Sequence, residues 1–284
     1  MKLSEGWKKV EERMRYLYKD SEYTISNYKV AVEKLINYLH DKDVDNVTTE
    51  DIVNFLTEQG KTLQQNTVRL YYHALRKFFI TLGKTGIDWS QIRIRPKEKE
   101  YRILSLDEVN KLLETAYKMS PRYGLTLQTA YECGLRFQEL ANLTPSDFDP
   151  KECTIKVRAV KSGYISTIPI SDELCLNLKT YVEANKDLKY LFQTRFGKKW
   201  DRSTFSDMFD KVTSKAGISI KFHEFARHSR ATNLLKEGVD LYTVNRLLRH
   251  KMLQTTAIYL HYTSQDLKEK LKVDQDGGPD REDS

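Results

Sequence analysis

Long apolar runs are missing from this sequence. No stretch approaches the ~20 residues that a membrane-spanning helix needs, and the opening MKLSEGWKKVEERM lacks the apolar centre of a secretion signal. Both absences lead us to expect a cytoplasmic protein with no membrane partner. Cysteine is scarce: Cys133, Cys153 and Cys175 form an odd, widely spaced set with no CxxC pair. Neither a disulfide framework nor a zinc site is therefore expected, and a reducing cytosol fits best. There is also no glycine-rich phosphate loop and no cluster of carboxylates. No metal and no cofactor are expected, and no internal repeat is evident.

What is present is a mixed, charged chain. Its 284 residues leave room for two domains, each with its own core, and 39% hydrophobic with 31% charged residues is the composition of a soluble globular protein. Lysine and arginine outnumber aspartate and glutamate by 47 to 40, and the last thirteen residues hold two of the basic and five of the acidic ones, so the rest of the chain carries +10. A basic body suits a nucleic-acid binder, because phosphates that it neutralises release counterions. Charge alone does not separate that reading from an ordinary basic protein.

Apolar residues at steps of three and four mark the first ~95 residues as a helical bundle. Ser4 is expected to cap a first helix carrying Trp7, Val10, Met14 and Leu17. A second runs from about Glu22, a third opens on Thr48 with Asp51 three residues later, and a fourth begins near Asn66 with Tyr71, Ala74, Leu75, Phe78 and Leu82 as its stripe. Arg69, His73, Arg76 and Lys77 lie off that stripe on neighbouring surface. From charge alone they read as a solvated face. Charge and Pro96 mark residues 96–104 as a linker, and Ser105 with Glu108 forms a capping box that opens the second domain, 105–272. Period two over Ile155, Val157 and Ala159, a Ser162-Gly163 turn, and Ile168 with Ile170 predict a β-hairpin within otherwise helical surroundings. Ser171 caps a further helix, another covers roughly 203–215, and Val239 to Arg249 is amphipathic. Residues 265–272 are a last helix candidate, before an acidic tail, 273–284, expected to be disordered.

Four of the six histidines fall between Ser219 and Thr263, beside Arg227, Arg230, Arg246, Arg249 and Tyr259. Arginine offers a planar fork of donors to phosphate oxygens, histidine moves protons, and tyrosine can attack as a covalent nucleophile. Together these suggest phosphoryl transfer without a metal. The ordered stretches RHSRATNLL, GVDLYTVNRLLRH and TTAIYLH resemble the C-terminal signature of the tyrosine recombinase (phage integrase) family. Upstream, GLRFQELANL resembles the family's first arginine box and VKSGYISTIPI its lysine-bearing hairpin.

The resemblance implies a mainly α fold with a small antiparallel sheet, in which an N-terminal helical domain clamps DNA and a C-terminal domain performs the chemistry. It makes Tyr259 the nucleophile. Arg136, Arg227 and His250 become the groups that neutralise the phosphate, Lys161 the proton donor to the leaving oxygen, and His223 the general base. Glu139 receives a supporting role. It also turns Arg69, His73, Arg76 and Lys77 into expected DNA contacts, since TLQQNTVRLYYHALRKFF resembles the family's DNA-contacting helix.

Two positions depart from the pattern. The family box reads His-x-x-Arg, but three residues before Arg227 stands Glu224, with His223 one further back; either a local bulge or altered helix start lets His223 reach the site, the preferred reading, or Glu224 occupies the position. Arg249 occupies a place where the family commonly has glycine; it is expected to strain a left-handed cap or to mark a different cap, and it could add a DNA contact. His228 is expected to pack, or to support the site from behind the reacting groups. The implied function is site-specific recombination through a 3′-phosphotyrosyl intermediate, on double-stranded DNA, by a tetramer that exchanges C-terminal helices. The compact length is similar to Xer-type chromosome-resolving recombinases. A mobile-element integrase, a type IB topoisomerase and a non-catalytic DNA-binding relative stand as alternatives.

Overall fold

The computed structural model of the chain describes residues 1–97, 100–159 and 164–262. Lys161, the segment 265–272, the acidic tail and the C-terminal stretch expected to be exchanged all lie outside them. The chain divides into two compact units, Met1–Lys99 and Glu100–Ser284.

The first unit is helical: α1 (Leu3–Glu12), α2 (Glu22–Tyr38), α3 (Thr49–Gly60) and α4 (Gln65–Thr81), with a single π-helical turn, Arg13–Leu17, extending α1. Ser21 caps α2 by accepting from the Thr24 amide, and Thr48 with Asp51 forms the reciprocal box that starts α3. Ser4 is not a cap. It lies inside the first turn of α1, which starts from Lys2, and its amide and hydroxyl both donate to the Asp41 carboxylate. Its hydroxyl thus ties α1 to the residues after α2, an outcome that depends on a partner 37 positions away and not on local spacing. Leu3, Trp7, Val10, Met14, Ile25, Leu35, Phe55, Leu75, Phe78 and Phe79 fill the core. Phe79 is fully buried, so its truncation to alanine is worth about 3–5 kcal/mol.

The second unit packs α5 (Leu106–Met119), α6 (Pro121–Glu132), α7 (Phe137–Asn142), α8 (Asp172–Ala184), α9 (Arg202–Ala216), α10 (Arg230–Lys236), α11 (Leu241–Leu248) and α12 (Gln254–Ala257) around a small sheet. Its strands, β1 (Phe148–Asp149), β2 (Thr154–Arg158) and β3 (Ile165–Pro169), are antiparallel in that order, with Ile155 opposite Ile168 and Val157 opposite Ser166. Alternation therefore buries Ile155, Val157 and Ile168 on one face while Lys156 and Arg158 stay exposed. Ser105, Ser171 and Asp201 cap α5, α8 and α9.

Two features differ from the sequence reading. Residues 101–104 do not behave as linker: Leu104 is fully buried in the second unit's core, its amide donates to Ser229 Oγ, and its carbonyl accepts from Asn233. The segment's charge concealed one apolar anchor. The expectation of no disulfide is also overturned, since Cys153 and Cys175 are bonded, with Cα atoms 5.4 Å apart across 22 residues of sequence. Cys153 precedes β2 and Cys175 lies in the first turns of α8, so the fold brings together residues whose spacing carries no signal. The bond closes the loop that contains the β2–β3 hairpin.

Candidate active site

The site begins with a reversal after α6. Gly134 takes φ +57, and a Cβ there would meet the Leu248 side chain at 2.9 Å. Only glycine combines that backbone with that contact. The reversal delivers Arg136 as the N-cap of α7. Glu139, one turn on, accepts from the Arg136 amide and from its Nη1, both at 2.8 Å. Glu139 is completely buried, whereas the Arg136 side chain remains 44% exposed. The arginine is thus held by its amide and by one guanidinium nitrogen, while much of the guanidinium stays open to solvent and to an anion.

Arg227 is the opposite case, buried with its donors committed. Nη1 donates to the Gly134 carbonyl at 2.6 Å, and Nη2 contacts the Leu248 carbonyl at 2.9 Å and His250 Nε2 at 2.7 Å. Burial, then the charges of Arg136 and Arg249, lower its pKa to about 9, which leaves it cationic at neutral pH. His250 is pushed down to about 3 by burial and the surrounding arginines, so its ring is neutral. A guanidinium cannot accept, and so Nε2 is the acceptor and Nδ1 carries the proton, donated to Thr256 Oγ1 at 2.8 Å. With Glu139 held below the usual carboxylate range, because Arg249 and the Arg136 amide outweigh its burial, the charges of Arg136, Arg227, Arg249 and Glu139 sum to +2. An attacked phosphodiester passes through a doubly negative phosphorane, so the cluster matches the state that must be stabilised.

A π-helical turn, Glu224–Ser229, begins immediately after His223. A π turn closes with one residue more than an α turn. It lies where the sequence has one residue more than the His-x-x-Arg pattern between His223 and Arg227. It also sets where the His228 ring lies. On an α-helix, residues five apart diverge by roughly 140°, but here the wider turn brings the two rings to 5.6 Å. His228 stacks on Tyr101 at 3.7 Å and meets the Tyr259 ring edge-on at 5.3 Å. It is neutral, lowered to about 4 by burial, His223 and Arg227. Tyr101 is the member of this site that sequence reading missed, because it lay in a presumed linker, whereas His228 packs its ring against Tyr101 and Tyr259.

Tyr259 stands in a 3-10 turn, Ile258–Tyr262, and is 2% exposed, packed among Ala231, Leu235, Val244 and Leu248. It lies close enough to Arg227 for the two to interact electrostatically. Tyr242, on α11, is 64% exposed. The structure therefore gathers Arg136, Arg227, His250 and Tyr259 with His223 and His228. Beside them lies a groove of about 810 Å³ between β3 and α11, lined by Ile165, Thr167, Arg230, Arg246 and His250. Among the described residues, no three His, Cys, Asp or Glu side chains are grouped to hold a metal ion.

Within the first unit, Arg69, His73 and Arg76 are exposed on α4. Partial burial and then the charges of both arginines lower the His73 pKa, which is what a shared face requires. Lys77 lines one concavity with His73 and Arg76, and its charge is already paired: it meets Asp20 and lies over the Tyr18 ring. No helix of the described residues is long and apolar enough to cross a membrane.

Comparison with known proteins agrees with this geometry. Residues 102–266 match the phage integrase family, and residues 14–86 match the phage integrase N-terminal SAM-like domain. Tyrosine recombinase XerA of Pyrococcus furiosus is 32% identical over 233 residues, 79% of this chain and 80% of the relative. A tyrosine recombinase of Pseudothermotoga lettingae is 31% identical over 259 residues, 87% of this chain and 90% of the relative. Among solved structures, a XerA recombinase crystal structure is similar over 97% of this chain and 100% of that chain, with 26% identity and a TM-score of 0.56. The fold also matches a XerH recombinase bound to its palindromic difH substrate after cleavage, with a TM-score of 0.77 at 21% identity over 94% of this chain and 84% of that one. The chain belongs to the phage integrase family, the tyrosine recombinases.

Proposed function

We propose that this chain cuts and rejoins DNA at a specific site, with Tyr259 as the nucleophile. The observation that carries the reading is the convergence of Arg136, Arg227, His250 and Tyr259, from four separate segments, in a pocket whose charge suits a phosphorane. Tyr259 Oη attacks the phosphorus and the bond to the 5′-oxygen breaks, leaving a 3′-phosphotyrosyl link and a free 5′-hydroxyl. The phenolic proton passes to an imidazole, assigned to His223, and Lys161 returns a proton to the departing oxygen. Arg136 and Arg227 hold the non-bridging oxygens. The covalent link conserves the energy of the phosphodiester, so rejoining needs neither ATP nor a metal. Arg69, His73 and Arg76 are assigned to the phosphate backbone. Because it acts on genomic DNA, we infer that the protein works in the cytoplasm.

Tyr259 cannot reach a DNA phosphate while it is 2% exposed, and His250 Nε2 cannot donate while it accepts from Arg227. We infer that DNA binding shifts α12 and the 3-10 turn, freeing the phenol and releasing the ring. Xer-type resolution of chromosome or plasmid dimers is the role best supported, because relatives named XerA, XerD and XerC align over most of this chain. Assembly as a tetramer on two DNA sites follows from that role; one neighbour of the same fold is a lambda integrase tetramer bound to a Holliday junction.

Nicked suicide duplexes test the reading, one from the host's chromosomal terminus and one from a mobile element's attachment site, in metal-free buffer. A denaturation-resistant protein–DNA adduct is expected with the wild type and none with Tyr259→Phe. Adduct on the attachment-site duplex alone would move the role to integration. Relaxation of supercoils without strand exchange would move it to a topoisomerase. Tight binding with no adduct on either duplex would sink the catalytic assignment.

A further inference from the structure

Arg249 was expected to strain its backbone or to touch DNA. The structure makes it neither a surface group nor a bystander. It closes α11 in the left-handed region, φ 54 and ψ 43, a conformation that costs a residue bearing a side chain about 1 kcal/mol or more. Its side chain is only 1% exposed. The guanidinium donates to four acceptors drawn from both ends of the site: the Cys133 carbonyl at 3.2 Å, the Leu247 carbonyl at 2.6 Å, the Gly134 carbonyl at 2.8 Å and Glu139 Oε2 at 2.9 Å. Two of these acceptors are shared with the machinery described above. The Gly134 carbonyl also receives Arg227, and Glu139 also holds Arg136. The next residue in the chain is His250.

We propose that Arg249 is the positioning residue of this active site, a single buried fork that fixes Arg136, Arg227 and His250 relative to one another. Three links follow from the bonds. Glu139 keeps one carboxylate oxygen on the Arg136 guanidinium, while its other oxygen is anchored by Arg249, so the orientation of Arg136 passes through that carboxylate. Gly134 presents its carbonyl to two guanidinium groups at once, which sets how closely Arg227 approaches the start of α7. The left-handed turn at 249 aims His250 back toward Arg227, and the fork's bonds to residues 133 and 134 hold that turn against its strain. Arg249 touches no substrate in this scheme. Lysine cannot replace it, because a single ammonium cannot span carbonyl and carboxylate acceptors on three segments.

This inference rests on the proposed function only for its kinetic arm. Arg249→Gly installs the residue best suited to the left-handed turn, so it relieves backbone strain while removing the fork. Arg249→Gly/Glu139→Gln also removes the buried carboxylate charge that the first change strands. At saturating nicked duplex, adduct formation by Arg249→Gly is expected to fall about 10²-fold, with DNA affinity within about threefold of wild type and Arg249→Lys giving little rescue.

The second arm needs no activity: the His250 imidazole cross-peaks recorded by NMR on the DNA-free protein at neutral pH. Glu139→Gln is expected to move them, although Glu139 does not contact His250, and to move them much less in the Arg249→Gly background. Wild-type adduct with an undiminished rate in Arg249→Gly would overturn the proposal and leave Arg249 as a stability element. So would a Glu139→Gln shift that persists undiminished without Arg249. If the wild type makes no adduct at all, the proposed function fails, and the NMR arm still decides the coupling.

Discussion

The two units use basic residues in contrasting ways. On α4, Arg69, His73 and Arg76 are exposed, with the His73 ring edge-on to Tyr72, and Lys77 beside them pairs with Asp20. Around Gly134, Arg227 and Arg249 are buried and tied to backbone carbonyls before any DNA arrives. Exposed cations attract a polyanion over a Debye length and yield to salt. Buried, pre-oriented ones are weakly screened and need no reorganisation when charge develops in a transition state. Under the proposed function, this contrast separates gathering the DNA from reacting with it.

Breaking the buried side has the largest expected effect. Arg227→Ala leaves the buried Leu248 carbonyl and His250 Nε2 without their donor, and adduct formation should drop at least ~10³-fold, together with a loss of stability of about 3–5 kcal/mol. Arg136→Ala, at the open tip of the same cluster, should lose ~10²–10³ in rate with little change in melting temperature, because its guanidinium is 44% exposed. Equal destabilisation by the two changes would show that the buried and open arginines are not distinct.

Reduction or Cys153→Ser should lower the stability of the second unit by ~3 kcal/mol, the loop-entropy value for a closure of this length. Thiol counting under non-reducing denaturation checks it, and two additional free thiols in the untreated protein would remove the bond from consideration. Acid should act on the second unit as well. His228 and His250 are held neutral, near about 4 and about 3, whereas in the unfolded chain they titrate near 6.5. Below about pH 6.5 the unfolded state takes up protons that the folded state refuses. Stability is therefore full above that pH and falls toward pH 4, on the order of 1.4 kcal/mol per unit for each histidine. Urea midpoints for wild type and His250→Gln should converge as pH drops; parallel curves would count against it.

The smallest effect belongs to α4. Arg69→Ala and Arg76→Ala should each flatten the logarithmic salt dependence of DNA binding by about 0.9 and leave the adduct rate at saturating DNA within about twofold. Lys77→Ala should change the slope least, because its charge is already paired.

Much of this was legible in the chain because the signals are local. Capping residues at Ser105, Ser171 and Thr48, the period-two alternation at Ile155 and Val157, and the arginine and tyrosine boxes lie within a few residues of what they specify. The π turn was legible only as an irregularity, one residue too many between His223 and Arg227. That the His228 ring reaches both Tyr101 and Tyr259 depends on the turn's width. Tyr101 and Leu104 escaped because their partners, His228 and Ser229, are more than a hundred residues away.

The sequence by itself determined most of the helices, the β-hairpin and the family, and it named the groups to which the chemistry is assigned, since hydrophobic periodicity and motif spacing are properties of neighbours along the chain. Tertiary structure alone decided which arginine is open and which is locked, that Arg249 turns inward to Glu139 and not outward to solvent, that Cys153 meets Cys175, and that Tyr259 is covered. Those outcomes depend on burial and on acceptors supplied by distant segments, whose desolvation and hydrogen bonding exist only once the core has closed around them.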